Sequence, residues 1–254
     1  LRRRQGNTEA IWVQEMEYNL PGGSSSLDQH RRVWVPYYSN VAGLLVCDSL
    51  GGRGIGRIRL SPWVINGLYK GNDMRNSKYN IHRDYYYNDP KNAKFGQKVV
   101  PLAADTLYKI VPSTTKWNHY LDADPTGNGS YKDLIMMRLG ETYLLLAEAQ
   151  FKQSKLGDAA TSINVLRTRA NAAQVTASDI TLDFILDERV RELIGEENRR
   201  MTLARTGTLV DRLKKLNFKD NSTVQAFNQL LPIPQSEIDL NKDAKLTQNP
   251  GYIR

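Results

Sequence analysis

The spacing of the apolar residues changes near residue 134, where it becomes that of one face of an α-helix. We predict helical structure from Leu134 onward, beginning with two helices that a break at Lys155-Leu-Gly157 separates. Asp158 is placed to cap the second helix, and a connection this short favours an antiparallel hairpin. The apolar positions, at steps of three or four residues, are Leu139, Tyr143, Ala147 and Phe151 in the first helix and Ala159, Ile163, Leu166 and Ala170 in the second.

Two further helices follow the predicted hairpin. The first carries an apolar stripe and ends near Gly195, because glycine readily takes the left-handed conformation of a helix C-terminus. The second is shorter, runs from about Asn198 to Arg205, and stops at Thr206-Gly207. The hairpin looks like a single tetratricopeptide-type unit, and no second copy follows in register. The stripe consists of Leu182, Leu186, Val190 and Leu193.

The first 133 residues have a different composition. They are rich in Gly, Pro, Asn, Ser and Tyr, with turn-forming clusters such as Gly51 to Gly54 and Asp124 to Gly129. Short apolar or alternating pieces at Ala10 to Gln14 and at Gln97 to Val100 predict small strands. We therefore expect a mainly α fold with long irregular loops and a few short strands. Its predicted parts are a loop-rich, ligand-binding part at 1–133 and a helical part at 134–254.

Length and charge narrow the class of protein. A chain of 254 residues allows one large domain or two small ones. Its longest apolar runs fall far short of the about 20 residues that a membrane-spanning helix needs. The formal net charge of +8 permits an acidic partner, but the basic residues form separate clusters without an RNA- or DNA-binding motif. We expect no nucleic-acid partner.

The patterns of metal and cofactor sites are missing from the sequence. A single cysteine, Cys47, excludes an intrachain disulfide and a zinc site built from cysteines. The glycine-rich stretch Gly51 to Arg57 lacks the Lys and Ser or Thr of a Walker loop and departs from the dinucleotide-binding pattern. His30, His82 and His119 lack metal-ligand spacing, and we interpret them as solvated loop histidines. We predict no cofactor and no metal.

Acidic and basic residues interleave on the third predicted helix. Glu188 and Glu192 lie one turn apart, a geometry that a glycoside hydrolase can use. The intervening arginines are spaced as in stabilising ion pairs, and they lower a carboxyl pKa that a general acid needs raised. The predicted pairs are Glu188 with Arg191, Arg189 with Glu192, and Glu196 with Arg200. We therefore favour a structural ion network over a hydrolase and predict that the protein is not an enzyme.

Aromatic residues supply the candidate binding chemistry. The chain has 13 Tyr and 4 Trp against 5 Phe, an imbalance that a hydrophobic core does not require. Exposed Tyr and Trp rings stack on a sugar ring or a peptide, while nearby polar side chains hydrogen-bond hydroxyl groups. The alternative is that these rings hold long loops against the body of the protein. The candidate ligand-binding residues are Trp34, Tyr37, Tyr38, Tyr86, Trp117 and Tyr120, with Arg53 and Asn118 as hydroxyl partners.

A series of motifs in the second half makes the sequence recognisable. They are Arg138 to Ala149 (RLGETYLLLAEA), Glu188 to Leu193 (ERVREL), Gly195 to Arg200 (GEENRR), Arg205-Thr-Gly207, Leu231 to Asn241 (LPIPQSEIDLN) and Gln248 to Tyr252 (QNPGY). Their order and spacing closely resemble the C-terminal half of the SusD/RagB family of outer-membrane nutrient-binding lipoproteins. Looser matches at Asn7 to Trp12 and at Ser61 to Tyr69 extend the resemblance over nearly the whole chain.

The resemblance implies a SusD-like fold and a binding subunit rather than a catalyst. Such a subunit sits on the outer face of a Gram-negative outer membrane, held only by a lipid anchor. There it binds oligosaccharides and caps a TonB-dependent transporter of the SusC type, as part of polysaccharide utilisation. Some members handle peptides, so a peptide-binding subunit like RagB stays open as the alternative ligand class.

The resemblance also bears on the extent of the chain and on its site. Family members are typically about twice this length, and their first half holds the signal peptide, the lipidated cysteine and most tetratricopeptide helices. We therefore expect this chain to be the C-terminal portion of such a protein. No glycan-contacting motif transfers from the family, so the aromatic candidates rest on their chemistry alone.

Overall fold

Helices and two short antiparallel ladders make up the protein in a computed structural model, which describes residues 6–20, 28–217 and 222–252. These residues divide into two compact units. The first unit holds the residues up to Leu60 together with Val64–Glu196, and the second holds Ser61–Trp63 and the residues from Glu197 onward. The prediction of a mainly α fold with a few short strands is confirmed.

The strands all lie in the first unit. Strand β1 (Ala10–Gln14) pairs antiparallel with β4 (Leu134–Arg138), and β2 (Ile81–His82) pairs antiparallel with β3 (Ser113–Thr114). Strand β1 confirms the strand predicted at Ala10 to Gln14. The prediction of helix from Leu134 onward is wrong for the first five residues, because they hydrogen-bond to β1 instead. The predicted strand at Gln97 to Val100 is also wrong, since Lys98 makes only a single bridge to Tyr86.

Helices α2 (Leu139–Lys152) and α3 (Leu156–Arg169) form the predicted antiparallel hairpin. The Ser162 hydroxyl donates to the Gln150 side chain over 2.8 Å, while Leu166 packs on Leu144, so the two chains run in opposite directions. Ala159, Ile163 and Leu166 are buried as expected. Asp158 does not cap α3 but lies within its first turn, and Lys155 occupies the capping position.

Helix α4 (Leu182–Leu193) completes the helical core of the first unit, which also contains the short α1 (His30–Trp34). The Thr181 hydroxyl caps α4 by accepting from the Phe184 N–H over 3.1 Å. Ile185 of α4 packs against Ala147 and Ile163 of the hairpin, and all three side chains are fully buried. Gly195, with φ +77°, ends this segment as predicted.

The loops of the first unit have a core of their own. Tyr38, Tyr85 and Leu44 are buried together with Val35, Val99 and Ile110. Several short turns of helix lie in the loops of the first unit. They are one π-helical turn (Val64–Leu68) and five 3-10 turns (Tyr38–Asn40, Asp48–Leu50, Met74–Asn76, Asp105–Leu107, Ala177–Asp179). Gly54 is needed here, because a Cβ atom at this position would lie 1.9 Å from the carbonyl oxygen of Val35.

The second unit contains α5 (Arg199–Arg205), α6 (Leu209–Leu216), a 3-10 turn (Ala226–Gln229) and α7 (Gln235–Leu240). Helix α5 confirms the predicted short helix, with Asn198 as its cap and Gly207 at φ +71° after its end. The Gln248 amide exchanges two hydrogen bonds of 2.8 Å with the backbone of Ile233. That side chain therefore fixes the segment before α7 to the C-terminal segment.

Candidate functional site

Three carboxylates on α4 and the turn after it meet cations from several other elements. We call this cluster the ion network. It comprises Glu188, Glu192 and Glu196 with Arg75, Lys116, Arg138, Arg167, Arg169 and Arg191. All of these residues belong to the first unit, and most of their side chains are buried or nearly so.

Glu188 is fully buried and shared by three arginines. Its carboxylate lies 2.9 Å from Arg75, 2.8 Å from Arg167 and 2.9 Å from Arg191. The pair with Arg191, three residues along the same helix, is the one predicted from the sequence. The other two come from the turn Met74–Asn76 and from α3, so Glu188 ties three segments together.

Glu192 is the centre of the ion network. Its carboxylate accepts from Arg138 at 2.7 Å and lies 3.2 Å from Arg75, and it also pairs with Arg169. Gly140, in the first turn of α2, leaves room for this arrangement. A Cβ atom there would lie 2.3 Å from Arg138 Nη1 and 2.9 Å from Glu192 Oε1.

Glu196 extends the ion network toward residues 116–132. It accepts from Arg138 Nε at 2.5 Å and from Lys116 Nζ at 2.5 Å. Lys116 Nζ also donates to the Glu192 carbonyl at 2.6 Å, and Lys132 Nζ donates to the Lys116 carbonyl at 2.5 Å. Burial lowers the pKa values of both lysines, although Glu196 opposes this shift.

The pairing of acids with arginines decides what the ion network does chemically. Burial alone would raise the pKa of the Glu192 carboxyl, but Arg138 and Arg169 outweigh it and hold the pKa at about 2. Glu192 is therefore ionised at neutral pH, whereas the general acid of a glycoside hydrolase must be protonated. The geometry is that of a structural cluster.

Two of the three predicted ion pairs are wrong. Glu192 binds Arg138, Arg169 and Arg75, and the side chain of Arg189 instead reaches Glu141 at 3.2 Å. Glu196 binds Arg138 and Lys116, while Arg200 donates to the carbonyls of Asn228 and Leu230. Spacing along one helix misses these partners because they come from distant parts of the sequence.

A cavity of about 670 Å³ opens beside the ion network. Met74, Tyr79 and Ile135 supply exposed apolar surface to its lining, and Glu192 and Glu196 enter it as ion-paired carboxylates. Among the residues that the structure describes, no cluster of three or more His, Cys, Asp and Glu side chains is placed to hold a metal ion. Likewise, none of the helices in the described ranges is long and apolar enough to cross a bilayer.

Two candidate aromatic residues lie in the interior rather than on the surface. Tyr38 is fully buried, and its hydroxyl donates to the Gly52 carbonyl at 2.8 Å. Trp117 is also buried; its Nε1 donates to the Gly195 carbonyl at 2.7 Å and its ring stacks on His30 at 4.2 Å. The expectation that both rings present an open face is corrected, because they hold loops in place, which was the alternative interpretation.

Trp34 and Tyr37 are half-buried at the end of α1 and just after it. The Tyr37 ring stacks on Tyr108 with centroids 6.3 Å apart, and its N–H donates to the Tyr108 carbonyl at 2.9 Å. Both residues keep part of their surface open to solvent. They remain candidates for stacking on a ligand.

Arg53 directly follows the Gly51-Gly52 turn in the sequence, and Asn118 contacts the turn. Asn118 packs against Gly51 so tightly that a Cβ atom there would lie 2.4 Å from its Oδ1. The Arg53 guanidinium donates to Asn128 Oδ1 at 3.1 Å and to the Thr126 carbonyl. The structure thus brings the two predicted hydroxyl partners, Arg53 and Asn118, to one turn. Tyr120, two residues after Asn118 in the sequence, is half-buried.

Tyr86 lies in a hairpin-like loop, where it forms a single antiparallel bridge with Lys98. It lines a groove of about 680 Å³ together with His82 and Phe95. The excess of Tyr and Trp does not predict Phe95, although a lone ring beside a glycine in a polar loop indicates the same kind of platform. The expectation of solvated histidines is also wrong here, since His82 Nε2 is buried.

A sequence model of the SusD family matches residues 108–252. The chain belongs to the SusD family. It is 35% identical to the starch-binding protein SusD of Bacteroides thetaiotaomicron over 147 residues, which are 55% of this chain and 26% of that protein. It is 34% identical to the SusD-like protein P25 of Formosa agariphila over 134 residues, 49% of this chain and 25% of that protein. These matches confirm the resemblance predicted from the motifs.

Solved structures of the SusD type share the fold of the chain. Surface glycan-binding protein A of Bacteroides thetaiotaomicron superimposes with a TM-score of 0.69 at 22% identity, over 98% of this chain and 53% of that chain. The structure of that protein in complex with laminarihexaose gives a TM-score of 0.64 at 22% identity, over 95% and 52%. The chain thus spans about half the length of the solved relatives that it matches.

Proposed function

We propose that this SusD-family protein is a non-catalytic subunit that captures oligosaccharides at the outer face of a Gram-negative outer membrane and delivers them to a TonB-dependent transporter of the SusC type. The observation that carries this proposal is the 35% identity to a protein named for starch binding. The presence of surface glycan-binding proteins among its structural relatives supports the same ligand class.

The surface chemistry of the first unit also supports a sugar ligand. Its loops expose or half-expose the rings of Trp34, Tyr37, Tyr86 and Tyr120, and a flat apolar face with a polar edge suits a pyranose ring. Arg53 and Asn118 offer hydrogen-bond donors and acceptors beside the glycine turn. We infer that residues 1–133 carry the contacts to the glycan, and that the helical part supports them.

The state of the acids supports binding without cleavage. The pKa of Glu192 is held at about 2, and the Glu188 carboxylate is fully buried among three arginines. A glycoside hydrolase built on these two residues would need one of them as a protonated acid with access to the glycosidic oxygen. Capture and release are therefore the activity that we assign.

A ligand panel tests the proposal. The protein is applied to an array of neutral and acidic oligosaccharides and to a library of short peptides, and each hit is measured by calorimetry. We expect oligosaccharide binding with dissociation constants between micromolar and millimolar. Binding of peptides alone would contradict the glycan assignment and favour a RagB-like role. For the delivery step, we expect co-purification with a TonB-dependent transporter from solubilised outer membranes, and transport that is unaffected by loss of this protein would contradict it.

A further inference from the structure

The loop 85–99 forms a hairpin that presents aromatic rings on a fixed backbone. The Tyr87 N–H donates to the Gln97 carbonyl at 3.0 Å, and the Val99 N–H donates to the Tyr85 carbonyl at 2.8 Å. Neighbouring side chains of an extended segment point to opposite sides. Tyr85 accordingly points into the core, where its hydroxyl donates to the Val111 carbonyl, and Tyr86 points outward with half of its surface exposed.

The tip of this hairpin is fastened to a second loop. Asn88 accepts from the Leu45 N–H at 2.6 Å and donates to the Leu45 carbonyl at 2.9 Å, which is a reciprocal pair. The Asn88 and Asp89 N–H groups both donate to the Gly43 carbonyl. The backbone that follows Tyr86 is therefore held in position before any ligand arrives, which reduces the entropic cost of binding.

The groove beside the hairpin, which we call the Tyr86 groove, has a volume of about 680 Å³ and is lined by Tyr86, Tyr87, Phe95 and His82 among others. Its volume lies within the range of roughly 300–1,000 Å³ that small-ligand sites occupy. Tyr86 and Phe95 are 50% and 56% exposed. Two large rings exposed on one groove mark a surface that a partly apolar ligand covers.

The charged side chains that line the Tyr86 groove are engaged by other residues of the protein. Asp84 is paired with Lys98 at 2.7 Å, and the Arg83 guanidinium donates to the backbone and side chain of Asn76. The Lys78 ammonium lies 5.4 Å from the Tyr79 ring centroid. These charges thus already have interactions within the protein.

His82 is the polar group that is left unsatisfied. Within the described part of the chain, its Nε2 atom is buried and has no hydrogen-bond partner. Burial lowers the pKa of His82 below its usual value, so the ring is neutral at pH 7, and a hydrogen bond with the Asp84 backbone engages the ring while Nε2 has no partner. A buried polar atom without a partner is unfavourable, and a ligand hydroxyl would satisfy it.

We propose that the Tyr86 groove is a subsite for neutral pyranose units, in which Tyr86 and Phe95 stack on the sugar rings and His82 hydrogen-bonds a hydroxyl. This assignment rests on the proposed glycan-binding function and adds the place and the class of sugar. It predicts that an uncharged oligosaccharide is sufficient for binding at this position.

Calorimetry with the strongest neutral oligosaccharide from the array tests the subsite. Tyr86→Ala and Phe95→Ala are each expected to weaken its binding at least about tenfold, whereas Tyr86→Phe keeps the ring and the affinity. His82→Gln, which retains a donor and an acceptor, should weaken it less than the ring deletions. Trp12→Ala, which removes a ring of β1 that is 62% exposed and lies outside this groove, is the matched control and should bind like the parent. Each variant must keep the melting curve of the parent.

The outcomes separate the subsite from the function on which it rests. If the parent binds the neutral oligosaccharide and both ring deletions bind within twofold of it, the subsite is wrong and the glycan-binding function stands. If binding to an acidic oligosaccharide or a peptide is what the ring deletions abolish, the class of ligand is wrong. If the parent binds no oligosaccharide of the array, the proposed function fails together with the subsite.

Discussion

Glu192 and Arg138 lie 54 positions apart in the sequence and form an ion pair of 2.7 Å. Arg138 ends β4 and directly precedes α2, while Glu192 belongs to the last turn of α4. The pair therefore joins the strand ladder and the helical hairpin to the third core helix. Both side chains are largely buried, which makes the pair costly to break from one side.

Removing the Glu192 charge tests the structural role of the ion network. Glu192→Gln removes the carboxylate that Arg75, Arg138 and Arg169 share and leaves buried Arg138 with Glu196 and Glu9 as its remaining acidic partners. We expect it to lower the free energy of unfolding by about 3–5 kcal/mol. Urea unfolding followed by circular dichroism measures this loss. Glu17→Gln removes an exposed carboxylate of the same unit and should change stability by less than about 0.5 kcal/mol. Equal stabilities for the two variants would show that the ion network is not structural.

The Glu192 carboxylate also predicts how the free energy of unfolding changes at acid pH. The pKa of Glu192 is about 2 in the folded protein, against an ordinary value of 4.5. The unfolded chain therefore binds the proton first as the pH falls, and stability is lost between about pH 4.5 and pH 2. The contribution at neutral pH is on the order of 3 kcal/mol. In Glu192→Gln the free energy of unfolding, measured by urea unfolding at several pH values, should fall less steeply between pH 4.5 and pH 2. An unchanged slope would contradict the low pKa assigned to Glu192.

Gly140 provides a test that leaves every charge in place. Gly140→Ala puts a Cβ atom 2.3 Å from Arg138 Nη1, so the guanidinium must move away from Glu192. We expect a loss of about 1–3 kcal/mol in the free energy of unfolding. Gly157→Ala in α3 meets nothing within 4 Å and should be neutral or slightly stabilising, since alanine favours helices. Thermal unfolding of both variants compares the two sites. A Gly140→Ala variant as stable as the parent would contradict the claim that Gly140 leaves room for the Arg138–Glu192 pair.

How much of this could be predicted from the sequence depends on the range of the contacts. The helices α3 and α4 could be predicted because their apolar residues recur at helical spacing. Ile163, Leu166 and Leu186 are among them, and all three are buried. Strand β4 could not be predicted in this way, because its partner β1 lies more than a hundred residues earlier in the sequence and the apolar residues of β4 do not alternate with polar ones. The partners of Glu192 could not be predicted either, because Arg75 and Arg138 are also distant from it in the sequence.

The candidate site was only partly predictable. The excess of Tyr and Trp indicated stacking chemistry, but burial of one particular ring depends on which loop packs on it. Tyr38 is covered by the loop core, and Trp117 by His30 and Gly195, so neither neighbourhood in sequence revealed their burial. The motifs identified the family, and the loops that carry the aromatic residues lie largely outside those motifs.

The two tryptophan candidates should separate in mutational experiments. Trp117→Ala deletes a buried ring and its hydrogen bond to Gly195, and we expect it to lower the free energy of unfolding by about 3–5 kcal/mol. Trp34→Ala removes a half-buried ring and should instead weaken oligosaccharide binding about tenfold, or by about 1.4 kcal/mol, with a smaller loss of stability. Calorimetry and thermal melting of both variants check this, and a Trp34→Ala variant that binds like the parent would exclude this ring from the site.

An apolar surface on α2 predicts self-association of the chain. Leu145 and Leu146 are 42% and 45% exposed, whereas Leu144 is fully buried. Replacing both exposed leucines by glutamine should reduce association in light scattering and leave the melting temperature nearly unchanged. Leu144→Gln is the matched change in the core and should unfold the protein. Unaltered association of the double variant would show that this face is not responsible.

Equilibrium dialysis of a labelled oligosaccharide mixture, with chromatography of both chambers at equilibrium, tests the central claim most directly. It reports binding and cleavage at once. We predict that at least one oligosaccharide becomes enriched in the chamber with the protein and that every oligosaccharide is recovered at its original length. No enrichment of any oligosaccharide, or the appearance of shorter products that a Glu192→Ala variant fails to form, would contradict a non-catalytic glycan-binding protein.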